Sequence, residues 1–229
     1  MRQVDYPAYY VGSEKRYKYL MLTIDDVFRH LAVIITGILT ILSIVVFFTN
    51  ILGTKLDEIN IENIPKEYKI LNDNENYFEI QNKDESAAYS IAFFLRQLDK
   101  DNNGEDVEGN DVKIEKTLGF ISPKGVSNVL RKYGLKTAAF HGSYNTLRKR
   151  LTLGIPIIVF LQNGNDTQFA VLKGYDEDCF YLYDPIEANV NEKNSDWYNR
   201  KLYFYEFFEL WRTNTALPNN CYVAFERNM

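Results

Sequence analysis

A run rich in oxygen ligands in this 229-residue chain lies at residues 99–110, which read DKDNNGEDVEGN. Asp99, Asp101 and Asn103 stand at positions one, three and five of an EF-hand-type loop, and Gly104 falls where such a loop turns sharply. Glu105 would add its backbone carbonyl. The twelfth position is Asn110 instead of a bidentate glutamate, and Asp106 occupies the eighth, where an apolar residue is usual. Calcium held this way would bind weakly, at about millimolar concentration. The competing reading is a solvated loop whose like charges stay in water. No other cofactor is expected.

Nucleophiles and bases are scarce. The chain has 2 histidines and 2 cysteines. His30 borders a long apolar run, and His141 precedes Gly142 in a turn after a strand, where a lone histidine is usually a surface residue. Cys179 and Cys221 both fall inside predicted strands. Two thiols form neither a disulfide framework nor a metal motif. Buried free thiols are expected, with a single bridge left open. A net charge of −5 argues against nucleic acid as a partner, because phosphate binding needs a concentrated basic surface.

Around these residues the pattern divides the chain. Residues 31–52, LAVIITGILTILSIVVFFTNIL, carry no charge. As a helix they would span roughly 30 Å, the thickness of a bilayer's hydrocarbon core. Thr36, Thr40 and Ser43 can bond back to the helix backbone and so cost little in lipid. About thirty residues precede the run and no small-x-small cleavage signal follows it, which fits a signal anchor rather than a cleaved signal peptide. Arg2, Lys15, Arg16, Lys18 and Arg29 lie before it; Lys55, Lys66 and Lys69 follow. That excess orients residues 1–30 to the cytoplasm and the remainder outside. An interfacial helix is expected at residues 22–30. Residues 53–72 read as a polar connector, and one domain should occupy residues 73–229.

Within the domain, residues 86–98 read as a helix with apolar positions Ile91, Phe94, Leu95 and Leu98. Ser122-Pro123 supplies an N-cap and a first-turn proline to a second helix ending at Gly134. A short strand follows at 136–141, and Ser143 can cap a third helix that ends near Gly154. Strands are expected at 155–162, 167–175, 179–184 and 221–226, with an aromatic helix near 205–212. This is an α+β architecture, helices first and an antiparallel sheet second.

Residues 154–185 read GIPIIVFLQNGNDTQFAVLKGYDEDCFYLYDP, and residues 86–95 read SAAYSIAFFL. Together they resemble a papain-like cysteine peptidase of the bacteriocin-processing, double-glycine-leader family, over about residues 79–226. The resemblance implies a two-lobed papain-like fold. It also implies a histidine at the start of the middle strand and an aspartate before the proline that closes the next strand. The aspartate is Asp184, but the histidine position holds Gln168. Aligning Ser90 and Ala92 with the family's first helix places Ser86 at the nucleophile. The family's oxyanion glutamine stands a few residues earlier; Gln81 is one residue away from that position.

A papain-like thiolate needs a neighbouring imidazole to activate it and to protonate the leaving amine. An acidic or amide group then holds the imidazole in the right tautomer. Ser86 is a weak nucleophile without a base, and Gln168 cannot accept a proton near neutral pH. The expectation is therefore a membrane-anchored pseudopeptidase that binds a peptide or protein without cutting it. Related domains lacking the cysteine serve as docking modules in export machines. Two other classes stay open: a hydrolase with a rearranged catalytic set, and a structural subunit of a membrane complex.

Overall fold

The computed structural model describes residues 9–51, 53–71, 76–81, 85–116, 119–213 and 219–226, with side chains in the first stretch described at 24–46 only. The chain divides near residue 50 into an N-terminal helix and a folded domain.

The N-terminal unit is one continuous helix, α1 (Tyr9–Ile51). Its segment Ile24–Val46, 23 residues, is long and apolar enough to cross a membrane, about 34 Å at the helical rise. Its described side chains are all exposed. Thr36, Thr40 and Ser43 donate to the carbonyls four residues back, each at 2.8 Å. The expected separate interfacial helix at 22–30 is instead part of α1. A helical segment with no chain break or Pro has no reason to stop at residue 31.

The domain is built on one sheet. Its strands are β1 (Lys55–Leu56), β2 (Tyr68–Lys69), β3 (Thr137–His141), β4 (Ile157–Asn163), β5 (Asp166–Tyr175), β6 (Cys179–Tyr183), β7 (Arg200–Tyr203) and β8 (Cys221–Phe225). Their order is β1-β3-β8-β4-β5-β6-β7, and β2 pairs with the far end of β5. All pairings are antiparallel except β1 with β3. Where β4 ends opposite Leu172, β2 takes over opposite Gly174. A Cβ on Gly174 would lie 2.6 Å from the carbonyl oxygen of Tyr68, so this close approach needs glycine.

Alternation along β4 explains the unbroken apolar run. Ile158 and Phe160 face one core and Ile157, Val159 and Leu161 face the other. The first core is closed by α2 (Ser86–Arg96) and α5 (Pro123–Lys132); the second by α6 (Tyr144–Leu151) and α7 (Phe204–Trp211). Helices thus cover both faces of the sheet. The expected caps are present: Ser122 accepts from Gly125 N–H ahead of Pro123, and Ser143 forms a capping box with Thr146. Gly134 follows α5 at φ +81°.

Two segments differ from expectation. The polar connector expected at residues 53–72 contributes strands to the sheet over its described part, 53–71. Beyond forming β1 and β2, it places Asp57 against Arg150, with Arg150 Nε and Nη2 at 2.6 and 2.8 Å from the two carboxylate oxygens. Arg150 also donates to Phe225 O at 2.7 Å and lies 4.6 Å over the Phe140 ring. Tyr222 donates its hydroxyl to Asp57. The acidic loop at 99–111 turns helical from Gly104, through α3 (Gly104–Val107), a π-turn at Glu108–Val112 and α4 (Lys113–Glu115). Val107 and Val112 are buried against α2, so tertiary packing supplies what the polar sequence lacks.

Candidate functional site

Helix α2 carries Ser86 in its first turn and Ser90 one turn later, on the same side. Both are buried, and both reach the same residue of β5. Ser86 Oγ accepts from Phe169 N–H at 3.0 Å, and Ser90 Oγ donates to Phe169 O at 3.0 Å. The reason is sheet geometry. β6 pairs with β5 only from Val171 onward, and the two serines engage the amide and carbonyl two residues before that point. The clasp holds the start of α2 one residue along the chain from Gln168.

Gln168 is buried at the same end of β5. Its amide nitrogen lies 3.5 Å from Asp184 Oδ2, and its carbonyl accepts from Asn189 Nδ2 at 2.9 Å. Asn189 also donates to Asp184 Oδ2 at 3.1 Å. Asp184 follows β6 and is fully buried. Its second oxygen accepts from Ile186 N–H at 2.9 Å, and Arg200 of β7 places Nη1 2.5 Å from Oδ2. Asn199 bridges the backbone of Asp184, accepting from its N–H and donating to its carbonyl at 2.7 Å each. Burial raises the Asp184 carboxyl above the ordinary carboxylate range, and Arg200, the Ile186 amide and Asn189 pull it partly back.

The three positions singled out by resemblance, Ser86, Gln168 and Asp184, are therefore brought to one place. Arg200, Asn189 and Asn199 complete that place and were not foreseen. Their contacts with Asp184 join residues separated by up to 16 positions on different elements, and no local pattern announces them. Gln81 lies nearby: its N–H donates to Pro185 O at 2.9 Å, and its side-chain oxygen is buried without a partner among the described residues.

The other chemistry-bearing residues are elsewhere. His141 ends β3, with Nδ1 3.1 Å from Thr54 Oγ1. His30 bonds to the Asp26 carbonyl within α1. Cys179 and Cys221 are both buried, and no disulfide joins them to each other. Burial pushes the Cys221 thiol up to about 12 and raises that of Cys179. Of the loop positions Asp99, Asp101, Asn103 and Glu105, Asn103 is engaged in capping a helix. It caps α3, accepting from Asp106 N–H at 2.8 Å, and Gly104 opens that helix. Among the described residues no three His, Cys, Asp or Glu side chains converge as a metal ion would need.

This arrangement can hold charge and hydrogen bonds in place. Ser86, which the resemblance places at the nucleophile, accepts from the backbone, and Gln168, which it places at the histidine, is an amide held between a carboxylate and another amide.

Three solved structures are similar to the domain. The peptidase domain of Streptococcus ComA, a bi-functional ABC transporter of a quorum-sensing pathway, is 14% identical with a TM-score of 0.51, over 64% of this chain and 94% of that one. A Bacillus anthracis protein described as a C39-like peptidase is 16% identical with a TM-score of 0.52, over 70% and 98%. A double-glycine-motif protease of an AMS/PCAT transporter, solved with its leader peptide, is 21% identical with a TM-score of 0.47, over 64% and 88%. No curated protein matches the chain. The first two likenesses agree with the α+β, papain-like fold expected from the residues. Residues 74–217 match the sequence profile of the Peptidase C39 family, and the chain belongs to that family.

Proposed function

We propose that this chain is a membrane-anchored, non-catalytic member of the C39 family whose domain binds a peptide or protein partner. The observation that carries the reading is the state of the centre. Ser86 Oγ is engaged by Phe169 N–H at 3.0 Å, and the neighbouring position that should hold a titratable base holds Gln168, tied to Asp184 and Asn189. Acyl transfer requires a group that takes a proton near pH 7 and returns it to the leaving amine. An amide side chain does neither. The family's fold is kept around these positions, which supports retained binding. Peptide is the ligand class that family membership favours.

The anchor is α1, through Ile24–Val46. The excess of Lys and Arg before that segment supports a cytoplasmic N-terminus and a domain outside the membrane, where it could join a membrane assembly.

The test uses the full chain in detergent. Peptides with an internal double glycine and several residues after it are incubated with it and followed by mass spectrometry and fluorescence anisotropy. Saturable binding without cleavage is expected. Cleavage that disappears in Ser86→Ala would overturn the reading. Protease added to right-side-out cells should remove the domain and spare residues 1–30; the reverse pattern would overturn the orientation.

A further inference from the structure

Loss of a thiol and an imidazole would, by itself, be reversible by two substitutions. The surroundings of Asp184 go further. Its Oδ2 is approached by three donors: Arg200 Nη1 at 2.5 Å, Asn189 Nδ2 at 3.1 Å and Gln168 Nε2 at 3.5 Å. Its Oδ1 is held by the Ile186 amide. Arg200 and Asp184 side chains are both buried, 8% and 0% exposed, so little solvent screens the pair. Arg200 is fixed from below by its strand, opposite Leu182 in β6, and the preceding Asn199 clamps the backbone of Asp184.

We propose that Arg200 occupies the counter-ion place that an imidazolium would fill, so that the centre is locked by a permanent charge. The inference rests on the non-catalytic reading above and makes Arg200 a positioning residue, not a catalytic one. A guanidinium stays protonated throughout the physiological range, so it cannot exchange a proton as an imidazole does. An imidazole introduced at position 168 would replace the Gln168 amide but still meet a carboxylate held by Arg200, Asn189 and the Ile186 amide, with a fixed positive charge within one side chain's reach. Both effects disfavour its protonated form. A thiolate at position 86 would then lack the cation that stabilises it. The groups facing Asp184 come from every element around it: Arg200 from β7, Gln168 from β5, Asn189 from the turn at Glu187–Asn189, and Asn199 ahead of β7. Beyond the adjacent Tyr183 stand Glu79 and Arg96, paired with each other at 2.7 Å.

The experiment compares the full chain carrying Ser86→Cys and Gln168→His with the same chain also carrying Arg200→Met. The introduced imidazole is titrated by NMR. The introduced thiol is alkylated with iodoacetamide across pH and located by mass spectrometry, the native thiols serving as buried controls. With Arg200 present, the imidazole should titrate at least about one unit below its ordinary value of about 6.5, and alkylation at pH 6 should be that of an unactivated thiol. Adding Arg200→Met should raise the imidazole by about one unit or more and speed alkylation at pH 6 about tenfold. The lock is overturned if the imidazole titrates at or above its ordinary value with Arg200 in place. It is equally overturned if the double variant already has a thiolate at pH 6, or if Arg200→Met moves neither readout. Should the triple variant not fold, the titration of the double variant, which keeps Arg200, decides alone. Failure of the non-catalytic reading itself appears elsewhere, as Ser86-dependent cleavage by the unsubstituted chain.

Discussion

The buried carboxylate–guanidinium pairs Asp57–Arg150 and Asp184–Arg200 do different work. Asp57–Arg150 is a two-pronged pair at 2.6 and 2.8 Å, joined by Tyr222 and the Phe225 carbonyl, and it fastens residues following α1 to β3 and β8. Asp184–Arg200 touches through one nitrogen, and amides fill the remaining positions around the carboxylate. Burial opposes the charge of Arg150, but Asp57 and Tyr222 outweigh it and hold the guanidinium above its ordinary value. At Asp184 burial wins, and the carboxyl stays raised despite Arg200. The first pair is arranged for stability. The second keeps a carboxylate in a place that does not suit its charge.

The sharpest way to break this contrast is to remove each guanidinium. Arg150→Met should destabilise the domain by about 3–5 kcal/mol, since it leaves Asp57 buried without its partner. Chemical denaturation would measure the loss, and residues 53–70 should become sensitive to protease. Arg200→Met should cost less at low pH, because a carboxyl already raised by burial takes up a proton and becomes neutral. The sign follows from linkage. With a folded pKa above the unfolded value of about 3.9, Asp184 binds its proton more tightly in the folded state. Stability is then greatest below that value and falls as pH rises through the folded pKa. Equal losses for the two variants at pH 4 and pH 8 would erase the difference between the pairs.

A smaller effect is expected at the serine clasp. Ser86→Ala leaves the Phe169 N–H without its acceptor and should cost about 1–3 kcal/mol in denaturation, with peptide affinity unchanged. If Ser86→Ala abolished binding while stability held, the hydroxyl would be reading ligand instead of joining helix to sheet. The smallest effect concerns the thiols. With Cys221 buried and pushed up to about 12, iodoacetamide at pH 8 should label it only after unfolding. Rapid labelling of the folded chain would contradict its placement in the core.

Local signals made much of this legible. Ser122-Pro123, Ser143 and Gly134 mark helix ends through hydrogen bonds and backbone angles that depend on a few adjacent residues. The run in β4 and the Asp-Pro end of β6 likewise carry their meaning in sequence. What escaped depends on distant partners. β1 and β2 are two residues each and exist because β3 and β5 offer edges. The polar segment that begins at Gly104 is helical because Val107 and Val112 reach the α2 core. β7 is short and mixed, so its placement of Arg200 beside Asp184 follows from pairing with β6. The candidate site was thus legible in the three positions matched by family resemblance and illegible in Arg200, Asn189 and Asn199, which surround Asp184.

The central claim is that nothing at this centre moves a proton. Its most direct test is exposure of the unsubstituted full chain to a fluorophosphonate probe and to iodoacetamide at pH 7, with the labelled site found by mass spectrometry. The account predicts no stoichiometric label at Ser86, Cys179 or Cys221 in the folded protein. One label per chain at Ser86, lost in Gln168→Ala or Asp184→Asn, would contradict it.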